Sequence, residues 1–127
     1  MGRLMPWFKV DDNLAFHAKA VAAGNPAMGL WVRAGSWSAQ QLTDGFVPDH
    51  MFPALGTLAQ AKRLVEVRLW HREDGGYRFH EWNRDGRQPT RQDVEKRRED
   101  DRIRKAEARA AKAAKNNQTR LKAVGDE

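Results

Sequence analysis

The aromatic residues of this chain are confined to its first part, and this limits where a folded core can form. All five tryptophans, all five phenylalanines and the single tyrosine lie before residue 83 of 127. From there to about Lys115 the large apolar residues are only Val94 and Ile103. Since a core needs apolar surface to bury, the sequence predicts one small core domain before residue 83 and an extension that has no core of its own.

The charges are distributed as unevenly as the aromatic residues. Up to Asn83 the chain has nine Lys and Arg against eight Asp and Glu, whereas from Arg84 onward it has 14 against nine. Nearly all of the net charge of +6 therefore belongs to the second segment. A local excess of cationic side chains is typical of proteins that bind nucleic acids.

Several other protein classes are disfavoured by the sequence. The absence of cysteine excludes disulfide frameworks and thiolate metal sites, and it fits a reducing cytosol. No apolar run has the length of a signal peptide or a membrane span, so we expect a soluble intracellular protein without a membrane partner. Phosphate-binding and nucleophile motifs are missing, and His71 with His80 is too small a set for zinc. We expect no enzymatic activity, no cofactor and no metal.

Boundary signals predict where the longest helix of the core domain begins. Gly24, Asn25 and Pro26 combine a glycine stop, a capping residue and a proline suited to a first helical turn. The apolar residues that follow recur at helical spacing and predict one buried face: Ala27, Leu30, Trp31, Ala34 and Trp37. Upstream, residues 7–10 predict a short strand and residues 14–23 a short helix.

Shorter elements are predicted after this helix. Phe46-Val47 predicts a very short strand, and the helix that follows must be short or broken because Pro53 removes a backbone donor inside it. Thr57 and Gln60 have the spacing of a capping box, which predicts that another helix begins there. Its buried face is predicted to contain Leu58, Ala61, Leu64 and Val65.

A β-hairpin is predicted at the end of the core domain. Residues 69–72 and 77–82 form its strands around an Asp74-Gly75-Gly76 turn, whose two-residue loop is either Asp74-Gly75 or Gly75-Gly76. Because side chains alternate along a strand, one face of the hairpin is apolar and the other polar. The apolar face contains Trp70, Tyr77 and Phe79, and the polar face contains His71, Arg78 and His80.

The order helix, strand, two helices and hairpin is that of a winged helix-turn-helix. We therefore expect a mainly helical α+β fold with a winged-helix domain at residues 1–83, a linker at 84–88 and a basic charged helix at 89–115. Residues 116–127 are predicted to be disordered. Pro89 and Thr90, with Asp93 at the capping-box position, mark the start of the charged helix.

Three sets of residues could contact DNA. On the predicted recognition helix they are Thr57, Gln60, Lys62 and Arg63, and on the wing they are His71 and Arg78. At about 100° per residue, six cations of the charged helix fall on one line and form a stripe that could follow phosphates: Arg91, Arg98, Arg102, Lys105, Arg109 and Lys112. For each set the simpler explanation is a solvated polar face.

The blocks GLWVRAGSWSAQQLTDGFVP, VRLW and GGYRFHEW, followed by a charged helix, resemble the N-terminal winged-helix domain of phage replication-initiation proteins, the replisome organisers. In particular, the chain resembles small actinobacterial and actinophage proteins that open with WFKVDD, and the resemblance covers about residues 7–82. It implies DNA contacts from the helix around Lys62 and Arg63 and from the hairpin around Arg78, in a bacterial host's cytoplasm near the nucleoid. It also implies aromatic scaffold positions at Trp31, Trp37, Phe46, Trp70 and Trp82.

We therefore expect a non-enzymatic protein that binds double-stranded DNA in phage replication or transcriptional control. The alternative is an adaptor or inhibitor that binds a host replication or transcription protein, which the nearly neutral first segment would suit. The oligomeric state, monomer or dimer, stays open, because Val94 and Ile103 alone do not make a heptad seam.

Overall fold

The computed structural model describes residues 6–125, and the chain divides after Val94 into two units. We call residues 6–94 the front unit and residues 95–125 the back unit. The elements are α1 (Ala18–Ala23), α2 (Asn25–Gln41), β1 (Phe46–Pro48), α3 (Phe52–Leu55), α4 (Leu58–Glu66), β2 (Trp70–Glu73), β3 (Gly76–Phe79) and α5 (Arg91–Gly125), with 3-10 turns at Leu14–Phe16 and Arg84–Gly86. The fold is α+β and mainly helical, as the sequence predicts.

The three strands form one antiparallel sheet in the order β1-β3-β2. β3 is central, and Trp70 of β2 lies opposite Phe79. The hairpin loop is Asp74-Gly75, because Glu73 pairs directly with Gly76. The predicted inner face of the hairpin is confirmed, since Trp70, Tyr77 and Phe79 are all buried.

The core lies between α2, α4 and the inner face of the sheet. Ala27, Leu30 and Ala34 of α2 are buried as their spacing predicts, and Trp31 packs against the core from a half-buried position. The prediction is wrong for Trp37, which is half-buried outside the core cluster. On that turn the buried residues are Ser38 and Ala39, and the Ser38 hydroxyl accepts a hydrogen bond from the Gly45 amide at 2.8 Å.

One position of the predicted α4 face is also wrong. Ala61 and Leu64 are buried and Val65 packs against the core, but Leu58 is 50% exposed. The reason is Gly56, which lies so close to Leu30 that an added Cβ would come within 2.9 Å of the Leu30 Cδ1 atom. The backbone of Gly56 therefore covers Leu30 in the place that the pattern assigns to Leu58.

The N-terminal segment is held by side chains instead of the predicted strand at residues 7–10. The Lys9 amide donates to Gln88 Oε1 at 2.9 Å, and Gln88 Nε2 donates to the Lys9 carbonyl at 2.7 Å. The buried side-chain amide of Gln88 thus makes the hydrogen bonds to Lys9 that a neighbouring strand would make. Next to Lys9, the Phe8 ring packs on Gly35 and stacks on Trp82 with the ring centroids 5.8 Å apart.

The predicted linker at residues 84–88 belongs to the front unit. Gln88 is 5% exposed, and the Trp82 indole N–H donates to the Pro89 carbonyl at 3.2 Å. Val94 is buried as well, so the unit boundary lies after it and not at residue 83. The sequence places the boundary too early because a polar Gly, Asp and Arg composition resembles a loop, whereas the tertiary contacts of this segment fix it.

Helix α5 begins with the predicted capping box and continues further than predicted. Thr90 and Asp93 exchange backbone–side chain hydrogen bonds of 3.2 and 3.1 Å. Residues 116–125, predicted as disordered, are helical, and residues 126 and 127 lie outside the described part. Neither proline nor glycine interrupts the sequence between Arg91 and Lys122, and Ala, Lys, Arg and Gln favour helix.

Within residues 6–125 no helix has the length and apolar character needed to cross a bilayer.

Candidate nucleic-acid interface

The first turn of α4 is organised by the predicted capping box, which is confirmed. The Gln60 amide donates to Thr57 Oγ1 at 3.2 Å, and Gln60 Oε1 accepts from the Thr57 amide at 2.9 Å. Both side chains thereby satisfy backbone donors at the start of the helix. Thr57 and Gln60 therefore serve the helix itself, and reading a base edge would require them to give up these bonds.

Arg63, predicted as a DNA contact, ties α4 to α1. Its Nε and Nη2 atoms donate to the Ala22 carbonyl at 3.1 and 2.6 Å, and its Nη1 lies 2.8 Å from a carboxylate oxygen of Glu66. Carbonyls in the last turn of a helix have no intrahelical donor, and a cation there also interacts favourably with the helix dipole. Arg63 thus caps α1, whereas its neighbour Lys62 is exposed on the surface of α4.

Two further cations of the front unit perform the same task. Lys19 of α1 donates to the Arg68 carbonyl just beyond α4 at 3.1 Å, so α1 and α4 cap each other. Arg33 of α2 donates to the Leu55 carbonyl at the end of α3 at 2.9 Å. Because Lys19, Arg33 and Arg63 are used in this way, part of the positive charge of the front unit holds helices together.

Arg78 on β3 is also held by the fold. Its Nε lies 2.6 Å from Glu73 Oε2, its Nη1 donates to the Asp44 carbonyl at 3.1 Å, and its guanidinium lies over the Phe46 ring. About 41% of the side chain is exposed. Arg78 thus lies on the sheet and is bonded to Glu73 and Asp44, whereas Lys62 lies exposed on α4.

The edge of the sheet carries a second arginine pair. Arg72 binds both carboxylate oxygens of Asp49, and its guanidinium lies 4.8 Å from the centre of the Tyr77 ring. The hydrogen bonds from Arg72 hold the pKa of the Asp49 carboxyl below its ordinary value. Asp49 is therefore a partner for Arg72.

His71 and His80 meet on the outer face of the hairpin as predicted. His71 Nε2 and His80 Nδ1 are 2.6 Å apart, so one nitrogen donates and the other accepts. Burial lowers the pKa of His80, and the nearby cation of Lys19 lowers it further, against the opposing carboxylate of Glu81. Among residues 6–125 no three His, Asp or Glu side chains are grouped so that they could hold a metal ion.

The lowered His80 pKa predicts a pH dependence of stability. In the unfolded chain the His80 imidazole binds a proton near pH 6.5, whereas its lowered pKa in the folded protein opposes protonation. The contribution of His80 to the free energy of unfolding is therefore complete above that pH and is lost as the pH falls below it. Urea unfolding at about pH 7.5 and about pH 5.5 should show a decrease for the wild type that is smaller for His80→Gln. The exposed control His50→Gln should keep the full decrease, and an undiminished decrease in His80→Gln would refute the assignment.

The back unit carries most of the predicted cationic stripe. In its first part the cations are paired along the helix: Arg102 with Glu99, and both Arg104 and Lys105 with Asp101. Their hydrogen bonds hold the pKa values of Glu99 and Asp101 below the ordinary ones. Pairs of this kind on an exposed helix contribute a few tenths of a kcal/mol each and stabilise the helix locally.

The second part of the back unit differs, because its sequence contains no acidic residue between Glu107 and Asp126. Arg109, Lys112 and Arg120 are exposed there. At about 100° per residue, Arg120 falls on the same line as Arg109 and Lys112, so it joins the stripe. The sequence reasoning missed Arg120 because it ended the helix at residue 115, although the periodic signal was present.

Arg91 belongs to the front unit, whereas the other residues of the predicted stripe belong to the back unit. Its backbone amide donates to Asp44 Oδ1 at 2.6 Å, which fixes the first turn of α5. The remaining members, Arg98, Arg102, Lys105, Arg109 and Lys112, lie on one face within the back unit, with Arg98 half-buried. We call the set from Arg98 to Lys112, together with Arg120, the cationic face.

Comparison with known proteins finds no relative with which this arrangement of residues can be compared. No protein-family model, no curated protein and no solved structure matches the chain significantly.

Proposed function

We propose that this protein binds double-stranded DNA and that the cationic face of α5 is its main contact with the phosphates. The observation that carries this proposal is that the sequence has no Asp or Glu between Glu107 and Asp126. In this stretch Arg109, Lys112 and Arg120 lie on one face of a continuous helix. Cations without neighbouring carboxylates keep their full attraction for an external anion. A solvated helix that served only as a spacer would gain nothing from the absence of Asp and Glu over a segment of this length.

The dimensions of the helix suit a phosphate backbone. At a rise of about 1.5 Å per residue, the distance from Arg109 to Arg120 is about 16 Å along the axis. Duplex DNA carries one negative charge per about 1.7 Å of its own axis, so several phosphates lie within reach of this segment. Such contacts release counterions and do not depend on base sequence, so this part of the affinity is sequence-independent and sensitive to salt.

The front unit is proposed to add orientation and sequence preference as a winged helix. The order α2, β1, α3, α4, β2 and β3, with β3 central, supports this interpretation. Lys62 is an exposed cation of α4, whereas Arg63 and Arg78 could reach phosphates only with the part of each guanidinium that the internal bonds leave accessible. The resemblance to phage replication-initiation proteins favours a role in phage replication or transcriptional control, in the cytoplasm of a bacterial host.

Neutralising the cationic face should reduce both the affinity for duplex DNA and its salt dependence. In the triple variant Arg109→Gln, Lys112→Gln and Arg120→Gln, three phosphate contacts are lost while helix propensity is nearly kept. The slope of log K against log salt concentration should become shallower by about 2.7, at about 0.9 per contact. Fluorescence anisotropy with a labelled duplex at several salt concentrations measures this slope.

The same helix offers a matched control. Arg97, Lys115 and Lys122 lie about 105–125° around α5 from the centre of the cationic face, and their replacement by Gln changes the net charge equally. The control should change the slope by less than about 1, which corresponds to one contact. Equal effects of the two triple variants would rule out a defined DNA face, and no duplex binding by the wild type at low ionic strength would favour the protein-binding adaptor.

A further inference from the structure

The front unit contains a cleft between its N-terminal segment and the outer end of the hairpin. Its volume is about 310 Å³. Four aromatic rings contribute to its lining: Phe8, Trp31, Phe79 and Trp82. Phe8 and Trp31 are half-buried, so part of each ring faces the cleft, and their centroids are 5.0 Å apart in an edge-to-face arrangement. The cleft therefore has an aromatic, apolar floor.

The walls of the cleft are fixed by contacts described above. Gln88 binds the backbone of Lys9 on both sides, which holds the N-terminal segment in place. Phe8 is packed on Gly35 so closely that a Cβ there would come within 2.3 Å of the ring. A cleft that is formed in advance loses little conformational entropy when a ligand enters it.

The rim of the cleft is polar and carries an excess of positive charge. Lys9, Lys19 and Arg87 lie on it against the carboxylates of Asp11 and Glu81. Glu81 is also paired with Arg84, a residue outside the lining, at 2.8 Å. A ligand that combines a flat apolar part with a negative group would therefore match both the floor and the rim.

Two aromatic residues that adjoin lining residues in the sequence are exposed to an unusual degree. Trp7 is 80% exposed and Phe16 is 92% exposed, and they precede the lining residues Phe8 and His17 in the chain. Exposed rings next to cationic side chains are the parts from which binding sites for single-stranded nucleic acid are built, because bases stack on them whatever the sequence. The volume suits one nucleotide better than a folded peptide segment, which would need a longer groove.

We infer that this cleft binds an unpaired nucleotide of single-stranded DNA, with the base on the aromatic floor and the phosphate at the Arg87 side of the rim. The neighbouring bases of the strand stack on Trp7 and Phe16. The inference does not depend on the duplex contact proposed for α5, because every residue that it uses lies in the front unit. A protein with both sites would hold duplex DNA and an unpaired segment together.

Tryptophan fluorescence provides a local readout, because two of the five tryptophans, Trp31 and Trp82, line the cleft. The full-length protein is titrated with thymidine 5′-monophosphate, with an oligothymidylate of about 12 nucleotides and with a duplex of the same length. The mononucleotide should quench the fluorescence weakly, and the oligothymidylate should do so at a concentration at least about tenfold lower. Quenching should persist in the triple Gln variant of the cationic face, even where duplex binding is lost.

Two substitutions separate the cleft from its neighbours. Arg87→Glu should weaken binding of both single-stranded ligands at least about tenfold, because it removes a charge-assisted hydrogen bond and adds a carboxylate that repels the phosphate. The control Arg97→Glu makes the same exchange at an exposed position outside the cleft and the cationic face, and it should leave both affinities unchanged. Phe16→Ser should weaken only the oligothymidylate, by at least about fivefold. Near-ultraviolet circular dichroism verifies that each variant is folded. Unchanged affinities in both variants, quenching by the mononucleotide without any gain for the oligothymidylate, or no quenching at all would overturn the inference.

Discussion

Replacing Trp70 with alanine should lower the free energy of unfolding of the front unit by about 3–5 kcal/mol. Trp70 is completely buried, and its ring lies 5.3 Å from that of Tyr77 and 5.6 Å from that of Phe79. It is the largest fully buried side chain of the described residues. Alanine would leave a cavity between the sheet and the helices that neighbouring groups could fill only in part.

Urea unfolding followed by the fluorescence of the four remaining tryptophans measures this loss. Trp70→Phe is the matched control. It keeps an aromatic ring and removes an indole N–H that finds no acceptor within the described part of the chain, so we expect a much smaller loss, about 1 kcal/mol. A loss below about 1 kcal/mol for alanine would mean that Trp70 does not occupy the centre of the core.

Gly76→Ala should have the second largest effect, a loss of about 2–3 kcal/mol. Gly76 lies in the central strand opposite Pro48, and a Cβ at this position would come within 2.4 Å of the Val47 carbonyl oxygen. The contacting atom belongs to the backbone of β1, so it cannot move aside without separating β1 from β3. Thermal or urea unfolding would measure the change.

Gly29→Ala provides a control of the same chemistry with the opposite expected sign. Gly29 lies inside α2, and nothing approaches within 4 Å of the Cβ that alanine would add. The substitution should stabilise the front unit by about 0.5–1 kcal/mol, because alanine has the higher helix propensity. If both glycine variants changed stability in the same direction, the close approach of β1 to Gly76 would not be the cause.

Local signals predicted most elements of the front unit. The start of α2 at Gly24-Asn25-Pro26, the capping box of Thr57 and Gln60, and the two faces of the hairpin all depend on residues close in sequence. Such features follow from turn, cap and alternation chemistry, which a short window of sequence contains. They sufficed to predict the α+β class and the strand that precedes the short α3.

The roles of individual cations could not be predicted in this way. Arg63 was expected to contact DNA, but it donates to the carbonyl of Ala22, a residue 41 positions earlier in the chain. Likewise, the Gln88 side chain bonds the backbone of Lys9 at the other end of the front unit, where the sequence predicts a strand. These contacts depend on which helix ends meet in the folded protein, and charge patterns along the sequence do not contain that information.

The extent of α5 was underestimated for a different reason. A helix without an apolar face is only marginally stable by itself, so disorder was expected after Lys115. Uninterrupted helix-forming residues and the ion pairs of Asp101 with Arg104 and Lys105 favour the longer helix. The longer helix matters for function, because it brings Arg120 onto the cationic face.

The most direct test of the DNA-binding proposal is to map the residues that respond when a duplex is added to the isotopically labelled protein. Nuclear magnetic resonance amide shifts report each position separately. We predict that the largest changes fall on the back unit between Arg98 and Arg120, with smaller ones around Lys62. Changes restricted to α4 and the hairpin, or no changes at low ionic strength, would contradict the assignment of the cationic face as the main DNA contact.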